Sequence, residues 1–377
     1  MSKVAFMIGN GLSIALSKDF SLRTITKKFI ESLEGEDKEF LLSLANFSND
    51  AINFDDFENN FSSLEAALES LKRYSLFIRS PVGLRMLERF RLTDPQLEKH
   101  EEVIDHLYKG YISKILNLIR GHVTVENINS KLKPFIEFLV NKINNSSKVY
   151  IFSLNYDLLI EAILLQYIGT KCFTDFCYPS GTLRNTSIDK FDFNPQRNRE
   201  IFTSSEMKTE LYHLHGSLSL FYDYDRNRAI KLRSADIGIE KIYQKISNNK
   251  IPLIPAIITG GGKSEKIVEY PFDFYYRSAK DLCDCGHPNE FYVLGYSFRD
   301  KHINDLISRW IKNVEKYEKG FRVVDYKLDQ NEKNEFKQFV KFALRKKGQI
   351  PNECFQFDGV NAIESCSGTI QKHKGDC

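Results

Sequence analysis

The chain has 377 residues, 42% of them hydrophobic, and Lys plus Arg exceed Asp plus Glu by only three. That is enough apolar material for a real core, and without a basic arm or a block of like charge the balance does not indicate direct nucleic-acid binding. The apolar run in MSKVAFMIGNGLS stops at Gly9, too short for a signal-peptide core, and nothing approaches the roughly 18 apolar residues of a membrane span, so a cytoplasmic protein with no membrane partner is expected.

In chain order, VAFMI (4–8) predicts a short buried strand and GNGLS (9–13) the turn after it. From 20 to 147 the apolar spacing is helical, as in Leu132, Phe135, Ile136, Leu139, Val140 and Ile143, and this stretch is expected to be a large helical insertion. Strand-like runs return at 149–154, 211–214, 253–258, 290–295, 321–325 and 353–357, with helical patterns at 157–166, 300–316 and 331–346. Strand alternating with helix implies an α/β chain with a Rossmann-like, doubly wound, mostly parallel sheet, built from 1–19 and 148–377. The polar segment 178–210 is expected to be a loop or cover.

Seven cysteines without regular spacing suggest reduced core thiols rather than a disulfide framework. Cys172 and Cys177 lie close in sequence, and Cys283-Asp-Cys285-Gly-His287 has metal-binding residue types. No second CxxC pair completes a tetrahedral site, so no metal is expected. IITGGGKSEKI (257–267) evokes a P-loop, but GxxxxGK requires glycine where Ile257 stands.

Ligands of a doubly wound sheet bind beyond the carboxyl ends of its strands. Four segments supply polar residues there: GNGLS (9–13), SLNYD (153–157), HLHGS (213–217) and GYSFRD (295–300). Gly9, Asn10 and Gly11 follow a strand and open a helical stretch, where small residues let a pyrophosphate approach backbone N–H groups; Ser13 stands nearby, and a tight turn without a ligand is the alternative. Asn155 or Asp157 could cap the helix that follows, although Asn155 stands further back, at the strand end, where its amide could face a ligand. His215 precedes Gly216, which permits close backbone approach, and is either a core histidine or a site residue. His213 shares its face if the strand continues, so one of the two histidines is structural. Gly295, Tyr296 and Ser297 end a strand, and Asp300 reads as an N-cap.

Taken together, the four segments resemble the sirtuin-like fold, in which GxGxS, a strand-end Asn-x-Asp, a His-Gly and a late Gly-x-Ser surround one NAD molecule. GNGLSIALS, FSLNYD, LHGS and GYSFRDKHIN look like the signatures of sirtuin-like proteins of bacterial antiphage defence, and NFDDFENNFSSLEAALESL (53–71) looks like the Asp-Phe-Glu helix of that group. The resemblance runs from residue 4 to about 310. It implies NAD as substrate, with Gly9, Asn10, Gly11, Ser13, Asp157, Gly216, Gly295, Tyr296 and Ser297 around it, and with Asp19 and Phe20, followed by Arg23, as what survives of the flexible cofactor loop. The zinc ribbon of deacylating sirtuins is missing, since no cysteine lies between His215 and Pro252.

Cleaving NAD between nicotinamide and ribose passes through an oxocarbenium-like centre. It calls for a polar group to hold a water or a ribose hydroxyl and a base to take a proton; Asn155 suits the first and His215 the second. The function expected is an NAD glycohydrolase that depletes NAD in antiphage defence. A protein deacylase or a non-enzymatic NAD-binding subunit is the alternative. The apolar helical insertion suggests a homo-oligomer, and the resemblance implies a HerA-type ATPase partner.

Overall fold

The computed structural model describes residues 2–35, 38–39, 81–89, 123–170, 172–183, 185–196, 207–223, 226–232, 253–258, 266–285 and 288–364. In order, the strands and α-helices are β1 (Lys3–Ile8), α1 (Gly11–Leu16), α2 (Leu22–Glu31), α3 (Pro81–Arg89), α4 (Val125–Lys131), α5 (Lys133–Asn145), β2 (Lys148–Ser153) and α6 (Leu159–Tyr167). There follow β3 (Phe173–Thr174), β4 (Cys177–Thr182), β5 (Asp189–Phe193), β6 (Thr209–His213), β7 (Gly216–Asp223), β8 (Arg228–Leu232) and β9 (Leu253–Ile257). Among the described residues the last elements are α7 (Phe272–Asp284), β10 (Glu290–Leu294), α8 (Lys301–Asn313), β11 (Phe321–Val324), α9 (Gln330–Ala343) and β12 (Phe355–Gln356).

The chain divides into two units: Met1–Lys18, His122–Ile258 and Ser264–Cys377 form one, and Asp19–Gly121 with Thr259–Lys263 the other. In the second unit the described residues include α2 and α3; the Asp-Phe-Glu stretch at 53–71 lies outside them, as does most of the glycine-rich 257–267. Helices α4 and α5 were expected in the insertion but belong to the first unit. The apolar stripe of α5 explains this: Phe135, Ile136, Leu139 and Ile143 are buried, and Phe138 packs edge-on against Phe6 of β1 and Tyr292 of β10.

Seven strands form a parallel sheet in the order β12-β11-β10-β1-β2-β6-β3. Both faces are covered, so its central strands are apolar almost throughout. Tyr292 of β10 faces α5, whereas its neighbour Phe291 packs at a tilt against Trp310 of α8, which also meets Phe321 of β11. From β1 the chain builds outward through β2 and β6, then crosses back to lay β10, β11 and β12 on the other side. The order reverses between β1 and β10, which is the switch point of a doubly wound, Rossmann-like sheet.

Segment 178–210 is not simply a loop. It contains β4 and β5, which with β8, β7 and β9 form a second, antiparallel sheet in the order β4-β5-β8-β7-β9. Its polar sequence has a physical cause, because β4 is an edge strand whose last four residues are exposed. The two sheets join at Gly216, whose φ of +82° and approach to the Ala256 carbonyl leave no room for a side chain. Among the described residues no helix is long and apolar enough to cross a membrane.

Candidate functional site

At the β1–α1 turn, Gly9 N–H donates to Leu294 O and Gly11 N–H to Gly295 O, both at 2.9 Å. A Cβ on Gly9 would stand 2.6 Å from Gly295 O. These glycines therefore serve a backbone-to-backbone contact with the end of β10, and their N–H groups are taken. Asn10 is half-buried.

Ser13 and Asp157 are buried and bonded to each other, Ser13 Oγ donating to Asp157 Oδ2 at 2.5 Å. Asp157 Oδ1 accepts from Leu159 N at 3.0 Å, which ties it to the first residue of α6, whose N-cap is Leu158. Burial pushes its carboxyl above the ordinary value, against the pull of the Ser13 and Leu159 hydrogen bonds. Since Ser13 gives its only proton to Asp157, its oxygen is left to accept, and Asn155 Nδ2 donates to it at 3.0 Å and to Gly9 O at 3.1 Å. Both amide protons of Asn155 are thus engaged, and its carbonyl oxygen is the end left for other partners. A local turn fixes the residue further, with Ser153 Oγ bonding both Asn155 N and Asn155 O.

His215 follows β6 and is buried. Its Nδ1 lies 3.1 Å from Leu154 O; a carbonyl only accepts, so Nδ1 carries the proton and Nε2 is the basic nitrogen. Nε2 stands 3.2 Å from Asp300 Oδ2, yet the approach is not aligned as a hydrogen bond and Nε2 has no hydrogen-bond partner. The ring thus contacts the backbone carbonyl of the residue preceding Asn155. Tyr296 is buried, its hydroxyl bonded to the Asp300 backbone and Asn304, while Ser297 is exposed. Asp19 and Phe20 lie on a 3-10 turn, and Asp19 pairs with Lys28 at 3.0 Å. Gly216 is at the junction between the sheets.

A second polar cluster was not anticipated. Lys231 of β8 pairs with Glu161 of α6 at 2.7 Å and with Asp175. Ser217 donates to Glu161 at 2.9 Å, and His213 Nε2 lies 3.2 Å from the same carboxylate. Burial lowers the His213 imidazole, outweighing the pull of Glu161 and Asp175, so this histidine is held neutral. Burial alone would raise the Asp175 carboxyl and lower the Lys231 ammonium. The charges they face reverse both, leaving Asp175 below and Lys231 above its ordinary value. The available signal was Glu161, a lone charge inside LLIEAILLQY.

Among the described residues, Cys172, Cys177, Cys283, Cys285 and Cys354 take part in no disulfide, and His287 lies outside the described residues. Among the described residues no group of three or more His, Cys, Asp or Glu is placed to hold a metal.

The sheet order and the polar strand ends define a Rossmann-like α/β protein with a candidate site at the carboxyl edge. Residues 102–345 match the family model described as "Domain of unknown function (DUF4917)", and the chain belongs to that family. No curated protein matches it.

Proposed function

We propose that the chain is an NAD glycohydrolase acting at Asn155 and His215. The observation that supports this best is the polarity of the pair: Asn155 has both amide protons engaged, and His215 has Nδ1 on a carbonyl and its basic Nε2 without a hydrogen-bond partner. An acceptor beside a base suits hydrolysis. Asn155 would orient a water or a ribose hydroxyl through its carbonyl oxygen. As the nicotinamide–ribose bond breaks, its electron pair leaves with nicotinamide, the water oxygen bonds to the ribose carbon, and His215 Nε2 takes the water's proton.

The glycine turn is not counted as a phosphate cradle, because its N–H groups already serve β10. Asn10 and Ser297, which keep exposed surface, are the residues we assign to the rest of the dinucleotide. On this reading the enzyme depletes NAD in bacterial antiphage defence, as a homo-oligomer working with a HerA-type ATPase. Purified protein incubated with NAD should release nicotinamide and ADP-ribose, and Asn155→Ala and His215→Ala should each slow that release by roughly two to four orders of magnitude. Wild-type turnover in either folded variant would defeat the assignment.

A further inference from the structure

We infer that Asp300 is a positioning residue for His215: one carboxylate oxygen lies beside Nε2, where the proton that His215 takes arrives, while the other anchors helix α8. Its kinetic consequence rests on the reading of His215 as the base; the geometry does not.

Asp300 caps α8 through Oδ1, which accepts from His302 N at 3.0 Å and Ile303 N at 3.4 Å. Capping alone does not explain its surroundings. Asp329 caps α9 in the same way, accepting from Asn331 N and Glu332 N, and it is exposed, as helix caps commonly are. Asp300 is instead 7% exposed and held at its backbone too, since its N–H donates to Tyr296 Oη at 3.1 Å and its carbonyl faces the same hydroxyl at 2.9 Å. Its second oxygen, Oδ2, is the one turned to His215 Nε2.

The direction of that contact matters. With Nδ1 donating to Leu154 O, any proton His215 gains arrives at Nε2, beside Oδ2. A carboxylate oxygen has no proton to give, so it leaves the Nε2 lone pair free and lies beside the proton once His215 has taken it. The imidazole thus lies between a strand-end carbonyl and a helix cap.

Asp300→Asn and Asp300→Ser both retain a good capping oxygen. The first removes the charge facing Nε2; the second removes the reach. Both should fold with melting temperatures close to wild type, and both should lower kcat for nicotinamide release roughly tenfold to a hundredfold with KM little changed, as losing the outer partner of a working imidazole does elsewhere. In a His215→Ala background, Asp300→Asn should add no further loss. Independently of activity, the ring 15N resonances of His215, assigned with His215→Gln, should move in Asp300→Asn. If wild type does not cleave NAD, the glycohydrolase reading fails and the resonances still decide. Unmoved His215 ring signals, or an equal loss of kcat with and without His215, would overturn the role assigned to Asp300.

Discussion

Gly11 and Gly295 meet backbone to backbone: Gly11 N–H donates to Gly295 O at 2.9 Å, and a Cβ on Gly295 would lie 2.5 Å from Gly11 Cα. Each glycine is therefore required by the other. Gly11→Ala should destabilise the fold by about 1–3 kcal/mol through overpacking. Gly295→Ala should cost roughly 1–2 kcal/mol more, because Gly295 also sits at a φ of +56°. Denaturant midpoints test this. Unchanged midpoints with weakened NAD binding would return these glycines to a ligand-binding role.

Lys231 neutralises two buried carboxylates, so its removal should be severe. Lys231→Met leaves Asp175 and Glu161 facing each other's charge without a cation, and breaking such a group typically costs about 3–5 kcal/mol. Replacing all three, with Asp175→Asn and Glu161→Gln added, should recover most of the loss, since no uncompensated charge then remains. Equilibrium unfolding of the single and triple variants checks both statements.

The parallel sheet was legible in the sequence because its central strands are continuous apolar runs; VAFMI, VYIFS and FYVL are buried on both faces. The starts of α8 and α9 were legible through Asp300 and the helical spacing that follows. The antiparallel sheet was harder. Cys177–Thr182 carries Pro179 and Gly181 and exposes most of its length, so neither periodicity nor propensity marked it as a strand. In GSLSLFYD, Leu218 and Leu220 do alternate with Ser217 and Ser219, but every residue but Tyr222 is buried, so the alternation does not separate an inner from an outer face. At the site, Asn155 and His215 could be singled out because they end strands. Their partners could not: no spacing relates Asp300 to His215, and the carboxylates around Lys231 lie 56 and 70 residues away in sequence.

His213 supplies a pH test with a definite sign. Burial holds its imidazole below the ordinary value, with Glu161 and Asp175 opposing and Lys231 assisting. Below about 6.5 the unfolded chain gains a proton that the folded chain refuses. Its contribution to stability is therefore present above that pH and lost as the pH falls toward the folded value. The stability of wild type minus that of His213→Gln should decline over this window, and a difference independent of pH would show that His213 is not held neutral. Asp157 acts in the opposite sense at lower pH, because its raised carboxyl makes the folded state the better proton binder. The subtraction against His213→Gln removes that contribution.

Ser13 tests whether the orientation of the Asn155 amide matters. In the chain from Asn155 Nδ2 through Ser13 Oγ to Asp157 Oδ2, the carboxylate takes the serine proton and so obliges the serine oxygen to accept from the amide. Ser13→Ala removes that constraint. It strands a buried carboxylate oxygen and an amide proton, which should cost about 1–3 kcal/mol of stability, and it leaves the Gly9 carbonyl as the remaining hold on the amide. The Asn155 carbonyl oxygen would then lose its fixed direction, and under the proposed NAD glycohydrolase function kcat for nicotinamide release should fall while His215 stays in place. Ser13→Thr, which keeps the hydroxyl, should preserve kcat if its extra methyl is accommodated. A double-mutant cycle separates this from general weakening of the site: in an Asn155→Ala background, Ser13→Ala should cost stability but no further kcat. An additive loss of kcat would mean that Ser13 acts by another route.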